Sequence, residues 1–197
     1  MSPNAAIADL TLAPNELEQA RLYLQQTRDG ALGAVKGLSP AQWNFKPSPD
    51  RWSIAEILEH AVVVQERVLE RLRAQIPQAP PPPPGYDFKQ VDAIVIHQFP
   101  VRFLKFPAPE EAHPKGRWTP SEMQRRLIAN CDRLAILLES TPDLRAHVLE
   151  GPPLKRITQG RLVWMDGYHW LLAAAAHTER HTKQMLEVKA AAGFPLN

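Results

Sequence analysis

The sequence predicts an all-α protein built as a four-helix bundle. Four segments carry apolar residues at helical spacing, two of them open with capping boxes, and helix-breaking prolines collect in the connections. The longest connection, residues 75–118, contains five consecutive prolines at 80–84, which favour an extended polyproline II segment. We therefore expect a single domain over 1–197, with 75–118 as a proline-rich crossover between helices two and three.

The first two predicted helices lie before this crossover. The first spans 14–35, and its apolar residues fall on one helix face; they are Leu17, Ala20, Leu24, Ala31 and Val35. The second begins after Ser53, which forms a capping box with Glu56, and keeps a helical period to about Ala74. A turn-rich stretch, 38–51, joins the two helices.

The other two helices follow the crossover. The third opens at Thr119, which pairs with Glu122 in a second capping box. The last runs from near Asp166 to about Ala192. Between them, 144–163 is expected to be loop because it contains Gly-Pro-Pro at 151–153 and Gly160.

The crossover itself allows two interpretations. A short helix could lie within 86–106, where apolar residues recur. A connection of this length is often a lid or a pocket wall, but a packed link that merely joins two parallel helices is an equally good interpretation.

Composition bears on partners and compartment. Lys and Arg number 23 against 21 Asp and Glu, a balance that gives no footprint for nucleic acid. We find no apolar run long enough to cross a membrane and no signal peptide in residues 1–10. One cysteine, Cys131, fits a reducing compartment, so the cytoplasm is the expected location.

Two histidines on the last helix are candidate metal ligands. His177 and His181 are four residues apart, so they project from the same helix face, and two imidazoles so placed can reach one ion. Such a pair also arises by chance on helix surfaces. The apolar neighbours on this face argue against that, because buried imidazoles need partners.

His60 is the candidate for a third ligand. It lies on the inward stripe of the second helix, where a lone histidine is more often a hydrogen-bonded core residue than a ligand. A zincin protease is disfavoured, since Glu179 stands two positions after His177 and not directly after it.

Other residues carry weaker signals. His169 is a candidate pocket residue at the start of the last helix, although a surface or packing role is the better interpretation; Tyr168, Trp164 and Asp166 are similar weak candidates. Cys131 on the apolar face of helix three is expected to be a structural thiol. No general acid or base can be named from the sequence.

Two stretches resemble the DinB/YfiT-like superfamily: 38–60, LSPAQWNFKPSPDRWSIAEILEH, and 173–185, AAAAHTERHTKQM, with GRWTP at 116–120 also similar. The resemblance implies a four-helix bundle that binds a divalent ion through His60, His177 and His181. It implies a metal-dependent hydrolase, or a transferase using a low-molecular-weight thiol such as mycothiol or bacillithiol, in a homodimer. The prolines at 77–84 lie outside the family pattern.

The expected function is therefore a metal-dependent enzyme acting on a small molecule. Three histidine ligands leave coordination positions open, which is typical of catalytic sites. Zn, Ni, Fe and Mn are not distinguished by such a ligand set. The alternative is a non-catalytic ligand-binding or stress-response bundle whose metal is structural or vestigial.

Overall fold

A computed structural model of the chain describes residues 10–103 and 106–196. It contains seven α-helices and two short strands within those ranges: α1 Pro14–Val35, α2 Pro40–Asn44, α3 Ile54–Glu70, α4 Phe88–Gln98, α5 Pro120–Ser140, β1 Val148–Glu150, α6 Pro152–Ile157, β2 Trp164–Asp166 and α7 Gly167–Lys189. A π-helical turn, Arg71–Gln75, extends α3, and 3-10 turns lie at Ile76–Gln78 and Glu110–Ala112. The predicted four-helix bundle is confirmed, with α1, α3, α5 and α7 as its long helices.

Local capping explains where these helices begin. The Ser53 hydroxyl accepts from the Glu56 amide while the Glu56 carboxylate accepts from the Ser53 amide at 2.8 Å, which satisfies two donors that the first turn would leave free. Thr119 and Glu122 repeat the arrangement at α5. At α7 the cap is Asp166, whose Oδ1 accepts from the amide of His169 at 2.7 Å.

The region 144–163 is more ordered than predicted. Strands β1 and β2 pair antiparallel, with Val148 opposite Asp166, and both Val148 and Met165 are buried. Gly-Pro-Pro does not simply break the chain: Pro152 opens α6, a position where the missing N–H costs no helical hydrogen bond. The expectation of plain loop was wrong here because strands of three residues leave no readable period.

The bundle departs from simple up-and-down order. Tyr23 and Ala34 of α1 contact Glu179 and Lys189 of α7, so these two helices run parallel. The main chain of Val62 and the side chain of Gln65 on α3 contact Asn130 and Cys131 of α5, so that pair is parallel too. The long crossover follows from this arrangement, since a chain leaving one end of α3 must return to the other end before α5 can start.

The remaining neighbours in the bundle are antiparallel. Arg28 of α1 lies against Asp132 of α5, while Lys36, just after α1, lines the same surface pocket as Ser121, near the start of α5. On α3 and α7, the ring of His60 contacts that of His181, Gln65 contacts Thr178, and Arg71, in the turn after α3, lies over the ring of Trp170. Residue numbers therefore rise along α3 as they fall along α7, and this side of the bundle contains the three candidate ligands. Apolar clusters fill both ends of the bundle, and the histidines lie between them. Of the described helices, none has the length and apolar character that crossing a bilayer requires.

Buried charges fasten the crossover to the bundle, and we call this group the Arg145 cluster. The guanidinium of Arg145, whose side chain is 2% exposed, donates to three carboxylates at 2.6–2.9 Å. The members are Glu16 of α1, Lys89 and Asp92 of α4, Arg145, Asp166 and His169. With a protonated His169, three cations face three anions. Such pairing is what buried charges require, and it ties α4 to the starts of α1 and α7.

Candidate metal centre

The three predicted ligands converge between α3 and α7. The Nε2 atom of His177 lies 3.2 Å from Nε2 of His60 and 3.1 Å from Nε2 of His181. Candidate ligand atoms of all three lie within 4.8 Å of one another. The i, i+4 spacing brings the α7 pair together, and the antiparallel packing of α3 brings His60 opposite them. Whether they bind a metal stays a prediction.

Hydrogen bonds fix which ring nitrogens face the centre. His60 donates from Nδ1 to the carbonyl of Ala112 at 2.7 Å, and His181 donates from Nδ1 to Oε1 of Gln184 at 2.8 Å. A neutral imidazole with hydrogen on Nδ1 has its lone pair on Nε2. Two lone pairs therefore point at His177, in the outer-shell arrangement that metal-bound histidines have.

His177 cannot satisfy both neighbours by itself. Its Nε2 holds at most one hydrogen in the neutral ring, so one lone pair of His60 or His181 stays unmatched. Its Nδ1 is buried with no hydrogen-bond partner among the described residues. A cation bound by all three Nε2 atoms would match all three Nε2 lone pairs, with the hydrogen of His177 on Nδ1. Two nitrogens at about 2.0–2.1 Å from one ion are roughly 2.9–3.4 Å apart at ligand angles near 90–110°, which matches the observed separations.

Burial keeps these imidazoles neutral. It lowers the pKa of His60, which the hydrogen bond to Ala112 raises in part and the nearby imidazole of His113 lowers further. The pKa values of His177 and His181 are well below the usual range, first because of burial and then because of the neighbouring imidazoles. Neutral imidazole is the form that binds metals.

Glu59, which was not predicted from the sequence, holds residues 115–117 of the crossover next to the metal centre. Its buried carboxylate accepts from the amides of Lys115 and Gly116 at 2.8 and 2.9 Å and from the side chain of Arg117. The adjacent His60 bonds to Ala112 in the same stretch, so consecutive side chains fasten the end of the crossover to α3. A carboxylate in a buried stretch of helix was the available signal, because such a charge must be paired.

The weaker sequence candidates lie elsewhere. Tyr168 donates to the carbonyl of Glu16, and Asp166 and His169 belong to the Arg145 cluster. Trp164 is 37% exposed on β2. Cys131 is buried, and burial raises the pKa of its thiol to about 11, which supports the structural role expected for it.

His169 gives the Arg145 cluster a pH-dependent member. Its Nε2 lies 3.0 Å from Asp92 and its Nδ1 2.8 Å from Asp166. Burial alone would lower the pKa of this imidazole, but the charges and hydrogen bonds of Asp166 and Asp92 outweigh it and raise the pKa to about 9.

We expect His169 to make stability fall at alkaline pH. The folded-state pKa of about 9 exceeds the unfolded value of roughly 6.5. The contribution is therefore present in full below about pH 6.5 and lost as pH rises through about 9, by up to about 3 kcal/mol. Urea unfolding of wild type and His169→Gln at pH 6, 8 and 9.5 should show wild type losing more. Parallel losses in the two proteins would count against this assignment.

Comparison with known proteins agrees with the fold. A model of the DinB superfamily matches residues 23–185. YuaE of Bacillus subtilis (strain 168), described as uncharacterized, is 26% identical over 157 residues, covering 79% of this chain and 88% of YuaE. The structure of YfiT from Bacillus subtilis superimposes with a TM-score of 0.57 at 14% identity, covering 94% of this chain and 92% of YfiT.

YfiT is described as a probable metal-dependent hydrolase with an unusual four-helix bundle topology. At this level of identity the likeness concerns the fold. The superfamily match begins within α1 and ends within α7, so it includes all three candidate ligands. The chain therefore belongs to the DinB superfamily.

Proposed function

We propose that this protein is a metal-dependent enzyme, a hydrolase of a small-molecule substrate, that holds one divalent ion through His60, His177 and His181. The observation that carries the proposal is the convergence of three Nε2 atoms with two of the rings held in the ligand tautomer. Without an ion, the lone pair of His60 or that of His181 would stay unmatched in a buried site.

Residues of α3, α7 and the crossover would have separate roles in this centre. The three imidazoles would hold the ion, Ala112 and Gln184 orient two of them, and the Trp52 ring, 5.0 Å from that of His60, packs beside the centre. The ion would supply Lewis acidity and a bound water activated near neutral pH. Three protein ligands leave positions for water and substrate.

Zinc, nickel, iron and manganese all suit this ligand set to differing degrees. The description of YfiT favours hydrolysis. Transfer of a low-molecular-weight thiol such as mycothiol or bacillithiol would use the same open positions, since a bound cation also lowers the pKa of a thiol. This second reaction rests on the resemblance seen in the sequence.

A non-catalytic bundle is the competing proposal, and one observation favours it. Among residues 10–103 and 106–196, no carboxylate or cysteine joins the three imidazoles. The hydrogen bonds of His60 and His181 go to Ala112, Gln184 and His177. A hydrolase without a proton-transfer group in place would depend on the bound ion and on groups brought by the substrate.

Activity measurements on metal-loaded protein separate these proposals. Protein purified without a histidine tag, loaded in turn with Zn²⁺, Ni²⁺, Fe²⁺ and Mn²⁺, would be tested on ester, amide and phosphoester substrates, and with thiols plus an electrophile. We expect activity with at least one metal, and a loss of at least about a hundredfold in His60→Ala, equal to about 3 kcal/mol of transition-state stabilisation.

The matched control is His97→Ala, which removes an exposed histidine of α4. It should keep the activity of wild type. Metal binding without any turnover across the whole panel would favour the non-catalytic bundle, while equal activity in His60→Ala and His97→Ala would contradict a catalytic role for the centre.

We also propose a homodimer in the cytoplasm. The dimer is an expectation from the family resemblance, and the location rests on the single cysteine. Sedimentation equilibrium at micromolar concentration should give twice the chain mass of 22.2 kDa. A mass of one chain at that concentration would overturn the dimer.

A further inference from the structure

Gln184 links an imidazole of the metal centre to the crossover. It lies three residues after His181 on α7, and its Oε1 is 2.8 Å from His181 Nδ1. The same oxygen is 3.2 Å from Nη1 of Arg102. Arg102 belongs to the chain that follows α4, so a side chain distant in sequence contacts the atom that holds a candidate ligand.

The donors in this contact determine the tautomer of His181. An arginine side chain can only donate hydrogen bonds, so the Gln184 atom that faces Arg102 must be the oxygen and not the amide nitrogen. Because that same oxygen faces Nδ1 of His181, the imidazole must carry its hydrogen there. The lone pair of His181 is then on Nε2, facing the centre.

Arg102 is itself held in place. Its Nε and Nη2 donate to the two carboxylate oxygens of Glu187 at 3.0 and 2.9 Å, a bidentate pairing that fixes the plane of the guanidinium. The chain of contacts runs from Glu187 through Arg102 and Gln184 to His181. Both acceptors of Arg102, Gln184 and Glu187, lie on α7, and Arg102 itself belongs to the crossover.

We propose that Gln184 is a positioning residue of the metal centre and that Arg102 holds its amide in the orientation this requires. The inference rests on the proposed metal binding. An acceptor on Nδ1 fixes the ring and makes Nε2 a stronger ligand, and removing such an acceptor typically weakens metal binding about 10–100-fold. Gln184 is partly exposed, so its substitution should leave the fold intact.

Three variants test the role of the acceptor. In Gln184→Leu the acceptor is lost, and we expect the Kd for Zn²⁺, measured by competition with a chromogenic chelator, to rise about 10–100-fold. Gln184→Glu keeps an acceptor and should bind within about threefold of wild type or tighter, as carboxylates serve this purpose in metal sites. Arg102→Leu frees the amide to flip and should cost less than Gln184→Leu.

Arg51→Leu is the matched control for charge. Arg51 lies 3.8 Å from the same Glu187 carboxylate, so the variant removes a cation from this surface without touching Gln184. Its Kd should equal that of wild type. Melting temperatures of the metal-free variants would verify that each one folds.

A measurement without metal tests the tautomer directly. Long-range ¹H–¹⁵N spectra of the metal-free protein should show hydrogen on Nδ1 of His181 in wild type and a mixture of tautomers in Arg102→Leu. Equal Zn²⁺ affinity in wild type and Gln184→Leu, or equal loss in the Leu and Glu variants, would overturn the positioning role. Failure of wild type to bind any of the metals would instead overturn the proposed function.

Discussion

Replacing His177 by alanine is expected to abolish stoichiometric metal binding. His177 is the central member of the trio, since its Nε2 lies 3.2 and 3.1 Å from those of the other two. The loss should exceed the roughly 10–100-fold cost of removing an outer-shell partner, because a direct ligand disappears. Isothermal titration with Zn²⁺ should give one equivalent bound to wild type and no measurable binding to the variant.

Thermal unfolding provides a second measurement of the same effect. A ligand at a hundredfold excess over its Kd stabilises the folded state by about 2.7 kcal/mol. For a chain of this size that corresponds to a rise in Tm of roughly 5–10 °C. Wild type should show the rise on addition of Zn²⁺, and a chelator should reverse it, whereas His177→Ala should show neither change.

His97→Ala again serves as the control, since it removes one histidine away from the centre. It should bind Zn²⁺ and gain stability as wild type does. If Zn²⁺, Ni²⁺ and Mn²⁺ left the Tm of wild type unchanged and purified protein contained no stoichiometric metal, the three-histidine centre would be falsified.

The local parts of this site could be predicted from the sequence because they depend on short spacings. Four residues separate His177 from His181, and that number alone places both on one helix face. Ser53 and Thr119 mark helix starts because a capping box involves residues three apart. The helical period of α3 placed His60 on the inward stripe, although the sequence alone left its role open between core residue and ligand.

What the sequence did not reveal depends on contacts between distant segments. Ala112 binds His60 through a backbone carbonyl, and every residue type has one. The link between Arg102 and Gln184 joins positions 82 residues apart. The only sign in the sequence of the parallel packing of α3 and α5 is the length of the crossover. Length alone does not distinguish a lid from a packed link, so both interpretations were equally good.

The Arg145 cluster was missed for a related reason. Its members come from four separate stretches of chain, and Arg145 itself lies in a region expected to be loop, where an arginine is normally exposed. No spacing relates these residues, so only the folded structure shows that their charges balance. Among single substitutions, we nevertheless expect the largest loss of stability from replacing Arg145, the centre of this cluster.

Replacing Arg145 by methionine should destabilise the protein by about 3–5 kcal/mol. The guanidinium is 2% exposed and lies 2.6 Å from Glu16, 2.8 Å from Asp92 and 2.9 Å from Asp166. Its loss leaves three carboxylates with His169 and the largely exposed Lys89 as their partners, so buried negative charge is uncompensated. The charged partners hold the pKa values of Glu16 and Asp92 below their usual ranges, overcoming burial, which would raise them.

An effect of this size is a large part of a typical unfolding free energy of about 5–15 kcal/mol, so urea midpoints should separate the variant clearly from wild type. Arg126→Met is the matched control, because its ion pair with Glu66 has side chains 46% and 33% exposed and exposed pairs contribute about 0–1 kcal/mol. Equal midpoints for the two variants would show that the buried charges do not hold the crossover. A large loss of stability in Arg145→Met alone would mean that the Arg145 cluster holds the crossover in place. The end of the crossover that contacts His60 would then depend on charges at the opposite end of α4 from the metal centre.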